Sequence, residues 1–295
     1  MIGRLLRAIL IYFLFVLNIF PVVCDIEVPF EIKVFSKSVQ PGSIAHLGLH
    51  SQVPLSRIEC FFLDENAFFF ILPNTSSWEA LIGVDLETFP GVYFLTGTIW
   101  TVDGRSIAVR KAIRIRPKKF SIQRIRVNQK YVTLNPKDSE RAKKEAQKLE
   151  TLWKKVTPAR IWTDSFIRPL SSELTSGFGR RRIVNGKSRN PHSGVDLKAK
   201  RGTPIKATNS GKVVLAEHLF FAGETVVLDH GLGLYTIYAH CSKIIVKVGE
   251  TVGLGQIIGE VGATGRVTGP HLHWACRLGG ARVNPMDLTE IIFFN

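Results

Sequence analysis

The chain has 295 residues, 45% of them hydrophobic, and its 39 Lys and Arg against 24 Asp and Glu give a formal net charge of +15. That length and apolar fraction exclude a disordered chain and suffice for two ordinary domains, each with a core. Four cysteines at scattered positions exclude a disulfide scaffold and a cysteine-rich zinc site.

The first residues, MIGRLLRAILIYFLFVLNIFPVVC, set Arg4 and Arg7 before an apolar run from Ala8 to about Phe20, interrupted by Asn18 and ended by Pro21. This is an export pattern, read as a signal peptide or N-terminal anchor over residues 1–24; the run is short for a membrane span. The expected location is the periplasm or cell envelope, on the cytoplasmic membrane if the segment is retained. With the segment removed, Cys60, Cys241 and Cys276 remain, expected as small buried hydrophobes with one bridge at most.

Residues 26–117 alternate short Val-, Ile- and Phe-rich runs with turn signals at Pro41-Gly42, Pro73-Asn74, Pro90-Gly91 and Asp103-Gly104. This spacing predicts an immunoglobulin-like β-sandwich. No catalytic cluster occurs in it, and His46 and His50 are expected at its surface. Residues 105–130 carry ten Lys or Arg and no acid; alternation puts Arg114 with Arg116, and Arg124 with Arg126, on shared strand faces, most simply solvated ones. Such a surface favours anionic partners. Nucleic acid is not expected among them, because no aromatic-interleaved motif accompanies the charge.

Residues 118–170 read as a linker made of this basic strand and an amphipathic helix. Asn135 can cap the helix, Pro136 suits its first turn, and Ala142, Ala146, Leu149, Trp153 and Val156 recur on one stripe until Thr157-Pro158 ends it. The stripe is expected to pack on a neighbouring domain. From 171 to 290 the pattern changes to glycine-punctuated short strands without a convincing helix, which predicts a compact antiparallel β domain.

That last region holds six of the eight histidines. In TGPHLHW, His271 and His273 project from one side of a strand, roughly 6.5–7 Å apart along it. In NPHSGVD, His192 precedes Asp196 by four residues, with Pro191 and Gly194 arguing against a helix. Imidazole and carboxylate are ordinary zinc ligands, and three of them with an open position make a catalytic site. His273 can supply the third. His271 then faces the reacting groups, and His240 in LYTIYAH is the candidate for a second proton-handling histidine, on the face that alternation shares among Leu234, Thr236, Tyr238 and His240. Cys241 and Cys276 fall on the opposite face from His240 and His273. His218 and His230 have structural explanations. No HExxH is present, so the glutamate base of helical zinc proteases is missing.

The segment from about Ser171 to Leu288 resembles the M23 family of zinc metallopeptidases, the LytM and lysostaphin type that cleaves peptidoglycan peptides. The resemblance is carried by His192-Ser-Gly-Val-Asp196, His271-Leu-His273, SGFG followed by Arg180 and Arg181, YAH ending at His240, and GATGRVTGPHLHW. It implies zinc bound by His192, Asp196 and His273, His240 and His271 as catalytic histidines, and the family's duplicated hybrid motif with an open groove for a peptide. The implied function is zinc-dependent hydrolysis of peptidoglycan cross-links or stem peptides. In GRRRIVNGKSRNPH, Arg180 and Arg181 are the candidates for holding substrate carboxylates; the competing reading of this stretch is a solvated loop.

Two rivals weaken on the residues. A degenerate LytM-type activator of cell-wall amidases would lack ligands, and all three are here. VKVGETVGLGQIIGEVG resembles half of a biotinyl or lipoyl carrier, but its one lysine, Lys247, precedes the turn that would have to display it.

Overall fold

The computed structural model describes residues 29–72, 77–126, 134–188 and 190–293. The stretch read from sequence as a signal peptide or anchor, residues 1–24, lies outside them. Among the described residues no helix is long and apolar enough to cross a membrane.

The first part of the chain is built from β1 (Phe30–Val34), β2 (Ile44–Ser51), β3 (Leu55–Phe62), β4 (Glu65–Ala67), β5 (Phe69–Ile71), β6 (Ser77–Gly83), β7 (Gly91–Thr101) and β8 (Ser106–Ile115). They form two antiparallel four-stranded sheets, in the orders β1-β2-β6-β5 and β4-β3-β7-β8. Alternation explains the pairing: Leu47, Leu49, Cys60, Leu95, Ile99 and Ile113 turn inward and fill one core between the sheets. The basic strand behaves as a solvated edge, with Arg110, Arg114 and Arg116 exposed. One expectation fails here. His46 is 4% exposed, packed between Phe35 and Phe293, with Nε2 at 2.8 Å from the buried Glu79 carboxylate. A buried carboxylate supplied by the neighbouring strand makes burial of this imidazole affordable, and nothing next to His46 in sequence announces it. His50 is exposed.

A strap then crosses to the second part: β9 (Ile122–Ile125), followed by α1 (Pro136–Trp153), whose first turn is capped by Asn135 Oδ1 accepting from the Asp138 N–H at 2.8 Å. The apolar stripe of α1 ends at Trp153, which packs edge-on against Tyr235 and joins a cluster with Leu215, Leu219 and Val227.

The second part contains β10 (Leu174–Ser176), β11 (Arg181–Val184), β12 (Lys187–Ser188), β13 (Gly194–Lys198), β14 (Pro204–Lys206), β15 (Gly211–Leu219), β16 (Gly223–Gly231), β17 (Leu234–Ile244), β18 (Thr251–Val252), β19 (Ile257–Val261), β20 (His271–Leu278), β21 (Ala281–Val283) and the short α2 (Pro285–Leu288). The main sheet runs β10-β13-β20-β17-β16-β15-β18, and β11 pairs in parallel with the strap strand β9. Val195, Leu197, Tyr238, Leu272 and Trp274 point into its core. Tyr235, Ile237 and Ala239 take the other face, which His273 shares through its pairing with Ala239. Helix α1 covers one end of that face; the end near His273 stays open.

The two parts share a core. Ile44, Phe70, Leu72 and Leu81 of the sandwich are buried with Trp162, Leu234, Leu278 and Phe293. Polar ties frame it: Arg282 reaches both Asp85 oxygens at 2.6 and 3.0 Å and Glu87 at 2.6 Å, and the Ile44 N–H donates to Asp287 at 3.1 Å. Cys60, Cys241 and Cys276 are buried and unpaired.

Candidate active site

Strands β13 and β20 run antiparallel with Asp196 directly opposite His273 and Lys198 opposite His271. The register does what spacing alone leaves open: it brings a carboxylate from one strand to an imidazole on the next. His192 arrives from the loop before β13, held by two backbone hydrogen bonds, its N–H donating to the Arg180 carbonyl at 3.0 Å and its carbonyl accepting from Gly179 at 2.8 Å. The result is a group of three in which His192 Nε2, Asp196 Oδ1 and His273 Nδ1 stand 2.9–3.0 Å apart.

These atoms fit a metal ion. His192 donates its Nδ1–H to the Gly177 carbonyl at 3.0 Å, so Nε2 keeps a lone pair and aims it at the other two atoms. Two such acceptors at 3.0 Å repel one another unless a proton or a cation lies between them. A tetrahedral ion with bonds near 2 Å needs ligand atoms roughly 3.3 Å apart, close to the spacing present. Burial opposes ionisation of Asp196, but the imidazoles of His192 and His273 outweigh it and hold the carboxyl well below the usual range.

His240 and His271 stand beside this group, their rings 5.0 Å apart and His240 5.9 Å from His273. His271 Nε2 is 3.7 Å from Asp196 Oδ1. Each of the two donates Nδ1–H to a backbone carbonyl, His240 to Thr264 at 2.9 Å and His271 to Gly269 at 2.9 Å. Both therefore turn Nε2 toward the cavity. Burial first, and the neighbouring His273 next, push the His240 imidazolium down to about 4, against the pull of the Thr264 carbonyl, so the ring is neutral at pH 7.

The route by which His240 reaches the cavity differs from plain alternation. Tyr238 sits in the core with Trp274, and strict alternation would send His240 there too. Instead β17 shifts register on either side of this point, and His240 takes a left-handed backbone with φ of 65°. The bulge sends His240 to the open side and returns Cys241 to the core.

The five residues line an open cavity of about 520 Å³ together with Phe221, Ala222, Arg266, Val267 and Thr268. Arg180 and Arg181 are not among the lining residues. Their segment meets the site through its backbone, Arg180 by its carbonyl to His192 and Arg181 in the pairing of β11 with β9. Phe221 and Arg266 were not singled out from sequence; Arg266 lies inside GATGRVTGPHLHW, where nothing marks it from its neighbours. His230, fully buried between Ser210 and Thr236, and His218, paired with Glu224 on the surface, lie outside the cavity.

The model of peptidase family M23 matches residues 190–285. A crystal structure assigned to peptidase M23 from Pseudomonas aeruginosa is 30% identical, with a TM-score of 0.67 over 86% of this chain and 96% of that one. The chain belongs to peptidase family M23. Among other M23-like proteins, peptidoglycan DD-endopeptidase ShyA of Vibrio cholerae is 44% identical over 114 residues, 38% of this chain and 26% of that protein. DD-carboxypeptidase/endopeptidase Mpg of Neisseria meningitidis is 37% identical over 124 residues, 42% of this chain and 29% of that protein. The similarity thus spans little more than a quarter of these curated relatives. The stretch matched by the family model, residues 190–285, contains the His-Asp-His group.

Proposed function

We propose that this protein is an exported zinc endopeptidase that hydrolyses D,D-peptide cross-links of bacterial peptidoglycan in the periplasm or cell envelope. One observation carries the reading: three ligand atoms at 2.9–3.0 Å from one another, flanked by the imidazoles of His240 and His271, in an open cavity. The names of the relatives supply the substrate class, and the arginine-led apolar N-terminus supplies the location.

His192, Asp196 and His273 would hold zinc, which when bound polarises a carbonyl and makes water acidic near neutral pH. His240, neutral and with its Nδ1 committed to Thr264, accepts a proton at Nε2. His271, oriented through Gly269, presents Nε2 on the same side, where it stabilises developing negative charge or passes a proton to the leaving amine. The carbonyls of Gly177, Thr264 and Gly269 act by orientation, each fixing a ring so that one chosen nitrogen faces the cavity.

The test is zinc content by mass spectrometry together with digestion of defined cross-linked muropeptides. We expect one zinc per chain and cleavage at the cross-link; His192→Ala, Asp196→Ala and His273→Ala should each lose metal and activity together. His271→Ala should keep zinc and lose roughly 10²–10⁴ in rate. A wild-type protein that binds zinc and cuts no muropeptide would overturn the function, and a His273→Ala protein with full zinc would overturn the ligand set.

A further inference from the structure

Among the described residues that line the cavity, Arg266 alone carries a permanent positive charge. It stands in the loop between β19 and β20, against the tip of the β15–β16 hairpin, and this loop is stitched down along its length. The Arg266 N–H donates to the Phe221 carbonyl at 2.9 Å. Thr264 Oγ1 accepts from the Glu224 N–H at 2.9 Å and donates to the Cys241 carbonyl at 2.7 Å. Gly265 and Gly223 both have left-handed backbones, and a Cβ on Gly265 would come within 2.4 Å of the Gly223 nitrogen. The backbone under Arg266 is therefore fixed while its side chain is exposed, with the guanidinium 5.7 Å from the Phe221 ring centre.

A cation on a rigid base at the rim of a peptide-cleaving site has a specific use. The proposed substrates carry free carboxylates, and in some walls these are amidated. A guanidinium can take a carboxylate through two parallel N–H donors, which fixes direction as well as distance, and its preset base lowers the ordering cost of doing so. Neither donor pair has an equivalent grip on a neutral amide. We propose that Arg266 binds a substrate carboxylate beside the scissile bond and sets a preference for acidic over amidated wall peptides. This role, assigned from sequence to Arg180 and Arg181, moves to a residue that lines the cavity. It rests on the peptidase reading above.

The experiment compares the zinc-loaded full-length wild type with Arg266→Gln and Arg266→Lys on a matched pair of cross-linked muropeptides, one with free carboxylates and one amidated. We expect wild type to prefer the acidic peptide and to lose that preference with added salt. Arg266→Gln should raise KM for the acidic peptide roughly 10–100-fold with a much smaller loss on the amidated one, at unchanged zinc content. Arg266→Lys should keep the salt sensitivity and recover only part of the affinity. Equal losses on both peptides, the outcome if Arg266 merely packs on Phe221, would refute the assignment; so would a wild type indifferent to amidation. A wild type that cuts neither peptide overturns the peptidase reading and this inference with it, whereas one that cuts both equally overturns this inference alone.

Discussion

The left-handed backbone at His240 allows a test that separates strain from chemistry. Replacing His240 with Ala or with Gly removes the same imidazole and the same hydrogen bond to Thr264, so the two variants differ chiefly in backbone cost at a φ of 65°. Ala inherits the left-handed penalty of about 1–2 kcal/mol, while Gly escapes it but loses about 0.5–1 kcal/mol through the greater freedom of its unfolded chain. The net expectation is that His240→Gly is the more stable by about 0.5–1 kcal/mol. Urea denaturation at saturating zinc reads this as a higher midpoint at unchanged slope; holding zinc saturating matters because metal binding itself shifts apparent stability. Both variants should retain metal and lose roughly 10²–10⁴ in rate. With no strain at this position only the freedom of the glycine chain would count, so a His240→Ala protein more stable than His240→Gly by about 0.5–1 kcal/mol would refute the argument that the protein stores strain at His240.

Two further expectations concern stability and its pH dependence. The Arg282 guanidinium offsets the burial of Asp85 and holds its carboxyl down to about 2, which after discounting for partial exposure corresponds to about 1–2 kcal/mol. Because the folded value is depressed, this stability is full above about pH 4 and is lost as pH falls toward 2; Asp85→Asn should show a lower midpoint at pH 7 and converge with wild type in acid. His230 is fully buried, and burial pushes its imidazolium down to about 4 against the Ser210 carbonyl. The unfolded state binds this proton at about 6.5, so it holds more protons between these values and stability falls as pH drops through the window, by up to about 3 kcal/mol. His230→Gln should flatten that slope; an unchanged slope would mean the buried ring is not its source.

The parts legible in the sequence are those that alternation controls locally. The sandwich strands, the capped helix and the pair His271 and His273 all follow from residue spacing within one segment. The shared core between the two parts does not, because Ile44, Leu81 and Phe293 look like any other apolar residues until chain geometry brings them together. The burial of His46 has the same origin, since its partner Glu79 lies one strand away and 33 residues on. Likewise, the charged run before His192 pointed to arginines as substrate ligands, but the backbone of that run is used to anchor His192. Side chains close in sequence to a ligand are not thereby close to the cavity.

His240 reaches the cavity by a route that alternation alone does not give. Alternation along β17 groups it with Tyr238, and Tyr238 is a core residue with its hydroxyl accepting from the Thr208 N–H at 2.9 Å. A regular strand would thus have buried the His240 ring under the sheet. The bulge reverses it, and the same distortion lets the His240 N–H donate to the Ala222 carbonyl at 2.8 Å, tying the ring to the hairpin that forms the cavity wall. The Thr264 carbonyl that fixes its tautomer belongs to the loop that carries Arg266. Proton acceptor, wall and proposed carboxylate grip are therefore connected through one short set of backbone hydrogen bonds. A shift of that loop would displace all three together, so the orientation of His240 and the position of Arg266 are coupled features of a single rigid corner.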